Sequence, residues 1–245
     1  MKINEIKIKK AIEDGSIIAN SKGADIQIPD ANMNRPHYLG MSGIGYCPIV
    51  QYLEYHKPKP EDTLGFVLNY EKEFTPQNLR IFRLGHLLEE EIVTYLSYGG
   101  INVYGSQDTF TDFNNLFKGH CDGKITLDQE YIIEIKGIND DNYRDLEARK
   151  VRIKYPVYFC QVQIYLYYSG LQKGYFIAIN KNDSTVYVEE IIKDNNVIFY
   201  LREKAYNILF SKHVRDVKCN REEQSCTFCS YSEMCDVMLG KKDES

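Results

Sequence analysis

The run YIIEIKGI, residues 131–138, constrains the chain more than any other stretch. It is β-prone, and strand side chains alternate faces. Glu134 and Lys136 therefore project to one side, while Ile135 between them points into the core. A charged pair on a buried strand is costly to fold. The pair is either a salt bridge on the solvent face of an edge strand or part of a working site. The preceding runs INVYGSQDTF and FKGHCDGKITLD are also β-prone and separated by polar turns, so three consecutive hairpin-linked strands are expected. Asp122 lies at the turn-proximal part of the neighbouring strand and brings a second carboxylate towards Glu134. Two carboxylates suit a hard, oxygen-preferring cation such as Mg²⁺ or Mn²⁺. A lysine beside metal-bound water can orient the nucleophile or offset charge developing on a phosphate.

The rest of the chain organises around this segment. Residues 1–40 are polar and read as an irregular N-terminal arm. Order is expected from residue 41, with Ser42 capping a helix that buries Ile49, Val50 and Leu53. Apolar residues at 81, 84, 88, 92 and 96 predict a helix closed by Gly99 and Gly100. After YIIEIKGI comes a charged stretch, NYRDLEARKVRIK, and then a helix that Pro156 opens and Gly170 ends. KGYFIAIN and TVYVEEII read as two more strands, and residues 195–213 as a long helix. This order predicts one mixed α/β domain over 41–238, followed by a polar tail at 239–245.

Three thiols crowd into SCTFCSYSEMCD, residues 225–236. The N-terminus has no apolar run resembling a signal peptide, and no stretch of the roughly 18 apolar residues that mark a membrane span occurs. The expected compartment is the cytoplasm, with no membrane partner. In reducing cytosol a C-x-x-C with a third cysteine close behind reads as a metal or cluster ligand set rather than a staple. The cysteine count of seven is odd, which also argues against a fully paired framework. A formal charge of -5 gives no global attraction to nucleic acid, so any such contact must come from local patches.

Taken in order, CDG with Asp122, EIK with Glu134 and Lys136, and QVQIYLYYSG with Gln161 and Tyr165 resemble the PD-(D/E)XK nuclease superfamily in its RecB-like branch. The resemblance implies a restriction-endonuclease-like α/β core, a central mixed sheet flanked by helices. It implies that Asp122 and Glu134 bind Mg²⁺ or Mn²⁺, that Lys136 assists attack on the phosphodiester, and that Gln161 and Tyr165 line the site. Gln163 and Tyr167 repeat the same spacing two residues on. RLGHLLEEEI resembles the family's first motif, which makes Glu89 the third metal ligand and keeps His86 in reserve. One subset of these nucleases carries an iron-sulfur cluster bound by one cysteine before the core and three after it. That pattern is matched by Cys47, Cys226, Cys229 and Cys235, and implies a [4Fe-4S] cluster, or alternatively zinc, clasping the two ends of the chain. Cys219 is a weaker candidate, while Cys121 and Cys160 read as packing residues. The implied activity is a metal-dependent DNA exonuclease using metal-activated water, of the CRISPR-associated or phage recombination type. Its DNA would have single-stranded character or free ends, and its protein partners would serve recombination or CRISPR adaptation. Arg144, Arg149, Lys150, Arg152 and Lys154 form the candidate DNA patch. The competing expectations are a noncatalytic docking module for a helicase or integrase, and a zinc-binding interaction protein.

Overall fold

The computed structural model describes residues 3–22, 37–70, 76–106, 108–219, 226 and 229–238. It opens with helix α1 (Ile3–Lys22), the short strand β1 (Leu39–Gly40), helix α2 (Pro48–His56) and the long helix α3 (Pro76–Tyr98). Five strands follow: β2 (Val103–Tyr104), β3 (Thr109–Asp112), β4 (Phe117–His120), β5 (Gly123–Thr126) and β6 (Glu130–Ile138). Helices α4 (Asp140–Lys154) and α5 (Pro156–Tyr168) lead to β7 (Lys173–Asn180) and β8 (Val186–Ile192). The described chain closes with α6 (Asn195–Phe210) and α7 (Ser232–Met238).

The fold is mixed α/β. The larger sheet runs β2-β5-β6-β7-β8, with β6 and β7 parallel and its other pairs antiparallel. Parallel neighbours need a long crossover, which α4 and α5 supply. A smaller sheet, β1-β4-β3, sits apart, so the three runs expected as successive hairpins are divided between two sheets. Strand β6 is central because its residues 131–135 are all fully buried. Its odd positions Tyr131, Ile133 and Ile135 join one apolar cluster with Ile92 and Leu96 of α3 and Ile8, Ala11 and Ile12 of α1. Ile132 on the opposite face joins a second cluster with residues of α2, α5 and α6. No helix among the described residues is long and apolar enough to cross a membrane.

Three expectations are corrected. Residues 3–22 are helical rather than an irregular arm, because Ile8, Ala11 and Ile12 find a buried site against α3. The contact is backbone to backbone: a Cβ on Gly15 would lie 1.7 Å from the Tyr95 carbonyl oxygen, and one on Gly99 would lie 1.9 Å from that of Ala11. Ser42 lies in a 3₁₀ turn, Met41–Gly43, and α2 starts at Pro48 with Cys47 in the capping position. Proline at the first helical position explains that start, since its missing N–H has no partner to lose. The charged stretch is helix α4, broken at Lys150, where φ is 69°. The Val151 N–H, which follows the break, donates instead to Glu189 Oε2 at 2.9 Å. Residues 23–36 and the 239–245 tail lie outside the described residues.

Candidate active site

Strand register builds the site. Gly123 pairs with Ile133 across β5 and β6, so Asp122, one step earlier, stands opposite Glu134. Asp122 Oδ2 accepts the Ile135 N–H at 2.7 Å, which fixes the carboxylate at the start of β5. Helix α3 delivers Glu89 to the same place. The ammonium of Lys136 lies among all three carboxylates, 2.5 Å from Glu134 Oε1, 3.3 Å from Glu89 Oε1 and 3.6 Å from Asp122 Oδ2. It also donates to the Ile135 carbonyl at 2.7 Å. The second oxygen of Glu89 faces His86 Nδ1 at 3.4 Å.

The electrostatics are those of crowded, desolvated acids. Glu134 is fully buried, and neither of its carboxylate oxygens has a hydrogen-bond partner. The Lys136 ammonium forms an ion pair with its Oε1. Burial, followed by the Asp122 charge, raises the Glu134 carboxyl to about 8, against the partial relief that Lys136 gives. Burial likewise raises Glu89 above the usual carboxylate range. Burial works against the Lys136 ammonium, yet Asp122, Glu134 and Glu89 together hold its pKa well above the ordinary lysine value.

A fully buried carboxylate held by an ammonium alone, flanked by two more carboxylates, suits an oxygen-preferring cation. As the side chains stand, no group of three His, Cys, Asp or Glu among the described residues is close enough to hold an ion. The ammonium of Lys136 fills the centre of the carboxylates, so a cation has to compete with it.

Helix α5 forms one wall. Gln161 and Tyr165 share a buried face, with Gln161 Nε2 donating to Tyr165 Oη at 3.4 Å. Burial and the Glu134 charge raise the Tyr165 phenol. Gln163 has other work: its Nε2 donates to the Ile192 carbonyl and its Oε1 accepts the Asp194 N–H, both at 2.8 Å. Gln163→Ala is therefore expected to remove two partly buried hydrogen bonds and destabilise the fold by about 2 kcal/mol, read as a lower midpoint in urea unfolding. Gln161→Ala should leave that midpoint nearly unchanged and alter activity instead. Tyr158 was not singled out from sequence. Its ring lies 5.8 Å from the Lys136 ammonium and stacks on Phe176. The spacing 158, 161, 165 is a helical face that could have revealed it.

The basic side chains of α4 are all engaged. Arg144 pairs with Asp140, Arg149 and Lys154 with Asp145, and Arg152 with Asp194, while Lys150 lies over the Tyr187 ring. Among the thiols, Cys47 Sγ lies 3.9 Å from Cys219 Sγ, although the two are 172 residues apart. Cys47, Cys219 and Cys229 pack against the core cluster that contains Cys235. The Cys229 N–H bonds the Cys226 carbonyl at 3.2 Å, making a tight turn. The hydrogen bond with Cys219, partly opposed by burial, lowers the Cys47 thiol to about 6. Cys121 is fully buried and pushed up to about 12 by burial, the behaviour of a packing residue.

No protein-family model matches the chain, and no curated protein does. Among solved structures, SSO0001 aligns over 98% of both chains with a TM-score of 0.51 and 20% identity, a likeness of fold alone. LHK-Exo, an alkaline exonuclease from Laribacter hongkongensis, aligns over 71% of this chain and 86% of its own at 16% identity, with a TM-score of 0.47.

Proposed function

We propose that the chain is a divalent-metal-dependent deoxyribonuclease, an exonuclease that hydrolyses phosphodiester bonds at DNA ends. It would be built on a restriction-endonuclease-like core and work in the cytoplasm in recombination, repair or CRISPR adaptation. The observation that carries this reading is the buried Glu134, both oxygens without hydrogen bonds, gathered with Asp122 and Glu89 around Lys136. Glu134, Asp122 and Glu89 are the oxygen donors proposed for Mg²⁺ or Mn²⁺. The ion would polarise the phosphate and make water nucleophilic near neutral pH. Lys136, released from its carboxylates, holds its proton and offsets charge on the phosphate. The Ile135 N–H keeps Asp122 in place, and Tyr158, Gln161 and Tyr165 restrict water on the α5 side. Arg149, Lys150, Arg152 and Lys154 would exchange their present partners for DNA phosphates, making binding sensitive to salt. The thiols are proposed to hold a metal group, a [4Fe-4S] cluster or zinc.

The test is release of labelled nucleotides from single- and double-stranded DNA ends in Mg²⁺ or Mn²⁺, against a chelated control. Metal-dependent release supports the reading. DNA binding without cleavage in either metal would make the chain a noncatalytic module.

A pH dependence follows from Glu134. Its carboxyl titrates at about 8 in the folded chain against an ordinary 4.5, so the metal-free protein keeps the proton between those values. Cation affinity is expected to climb with pH and level off above about 8, with proton release on binding near pH 7, measured by calorimetry in buffers of different ionisation enthalpy. Metal-free stability has the opposite slope. A raised carboxyl favours the folded state at low pH, and that contribution fades as pH rises through about 8.

A further inference from the structure

The small sheet β1-β4-β3 has one packed face and one bare face. On the packed side Leu39, Phe117 and Gly119 are buried, and a Cβ on Gly119 would lie 2.6 Å from Met41 Cβ and 2.9 Å from Tyr165 Cε1. That side therefore rests on α5, the helix that walls the carboxylate site. Strand alternation sends the intervening residues the other way. Gly40 and Thr111 both pair with Lys118, and Thr109 pairs with His120, so these residues share the outer face. Tyr38, two residues before Gly40, joins them, with the Lys118 ammonium 5.9 Å from its ring centroid.

This face is chemically unlike the acidic chain that carries it. It presents a lysine, a histidine, two threonines, a tyrosine and a glycine, and no acidic residue among the described positions. At Gly40 the floor is open, since an added Cβ would meet nothing nearer than Ser42 Oγ at 3.9 Å. A flat ligand can thus reach the sheet beside the Tyr38 ring. Lys118 makes no ion pair among the described residues, whereas most basic side chains of α4 would have to leave a carboxylate to meet a phosphate. Strand β4 ends at His120, two residues before Asp122. At about 3.4 Å per residue, His120 and Lys118 stand about 7 and 14 Å back from Asp122 along the chain. Successive nucleotides of an extended strand can follow such steps.

We propose that the outer face of β1-β4-β3 is a track for single-stranded DNA leading to the carboxylate site, with Lys118 and His120 on phosphates and Tyr38 stacked on a base. The proposal rests on the reading of the chain as a deoxyribonuclease and adds the surface that delivers the strand.

The test measures binding of a labelled single-stranded oligonucleotide to the full chain without added divalent metal, which separates binding from cleavage. Lys118→Gln should lower the slope of log affinity against log salt by about 0.7, the share of one phosphate contact on a single strand. Tyr38→Ala should weaken binding about 5–150-fold, the loss of one stacked base. Thr111→Glu, at an exposed position opposite Lys118, sets a carboxylate against the ammonium and should reduce the slope as Lys118→Gln does. The urea midpoints of these two variants should match wild type, which a merely structural role for Lys118 would not allow. Lys10→Gln removes an exposed charge on α1 and should bind as wild type does. Wild-type affinity and salt slope in both Lys118→Gln and Thr111→Glu would overturn the track and leave the deoxyribonuclease reading standing. A wild type that binds no single strand at low salt would also overturn it, and nucleotide release in Mg²⁺ or Mn²⁺ then decides the deoxyribonuclease reading separately. Should Tyr38→Ala fail to fold, the other two variants decide.

Discussion

Glu134→Gln is expected to lower DNA cleavage by about three orders of magnitude or more, the rate equivalent of several kcal/mol of charge stabilisation. The substitution keeps the shape of the side chain and removes its charge, so the loss would not reflect a cavity. Circular dichroism and the urea midpoint should stay near wild type, while calorimetry should show weaker Mn²⁺ binding. Lys136→Ala is the matched experiment. It removes the ammonium that now occupies the centre of the carboxylates. Mn²⁺ affinity should therefore hold or rise, while turnover falls by about 10²–10³-fold. Full cleavage by purified Glu134→Gln would remove Glu134 from the site. Weaker Mn²⁺ binding by Lys136→Ala would mean that the lysine organises the carboxylates rather than competing for them.

The second large effect concerns stability. An alanine in place of glycine on an exposed helix surface stabilises by up to about 1 kcal/mol. Gly15→Ala is expected to do the reverse, because its new methyl group would meet the Tyr95 carbonyl and force α1 away from α3. Overpacking of this kind typically costs about 1–3 kcal/mol, or roughly 2–12 °C in melting temperature for a chain of this length. Gly85→Ala, also helical but with nothing within 4 Å of the added carbon, should hold or raise the melting temperature. Equal rises in both variants would show that α1 does not pack as described. Because α3 also carries Glu89, a displaced α1 should weaken Mn²⁺ binding as well.

These predictions show what the sequence makes legible. Glu134 and Lys136 could be placed on one face because a strand's period of two leaves no other arrangement. The third helix was read from its apolar positions, and Glu89 from a family resemblance on that helix. Helix α1 was missed because its buried Ile8, Ala11 and Ile12 are interspersed with exposed Ile3, Ile6 and Ile17, so no single stripe stands out. Helix α4 was hidden for a related reason, with Tyr143, Leu146 and Val151 its buried residues among many charges. The division of the early strands between two sheets depends on long-range pairing, which local pattern does not contain. The same holds for Cys219: nothing in its neighbourhood distinguishes it, and only the folded chain sets it against Cys47.

The parallel pairing of β6 with β7 also has a consequence in time. A strand that will be central to the sheet is made with one edge open, and its partner ends 42 residues later, at Asn180 rather than Ile138. At ribosomal speeds that interval is about 2–8 s. During it the emerging chain presents an unpaired, largely apolar edge beside a carboxylate destined for burial, the kind of surface on which nascent chains aggregate. A chain ended within the crossover, near residue 170, should therefore collect in the insoluble fraction, whereas one that includes β7 and β8 has covered that edge.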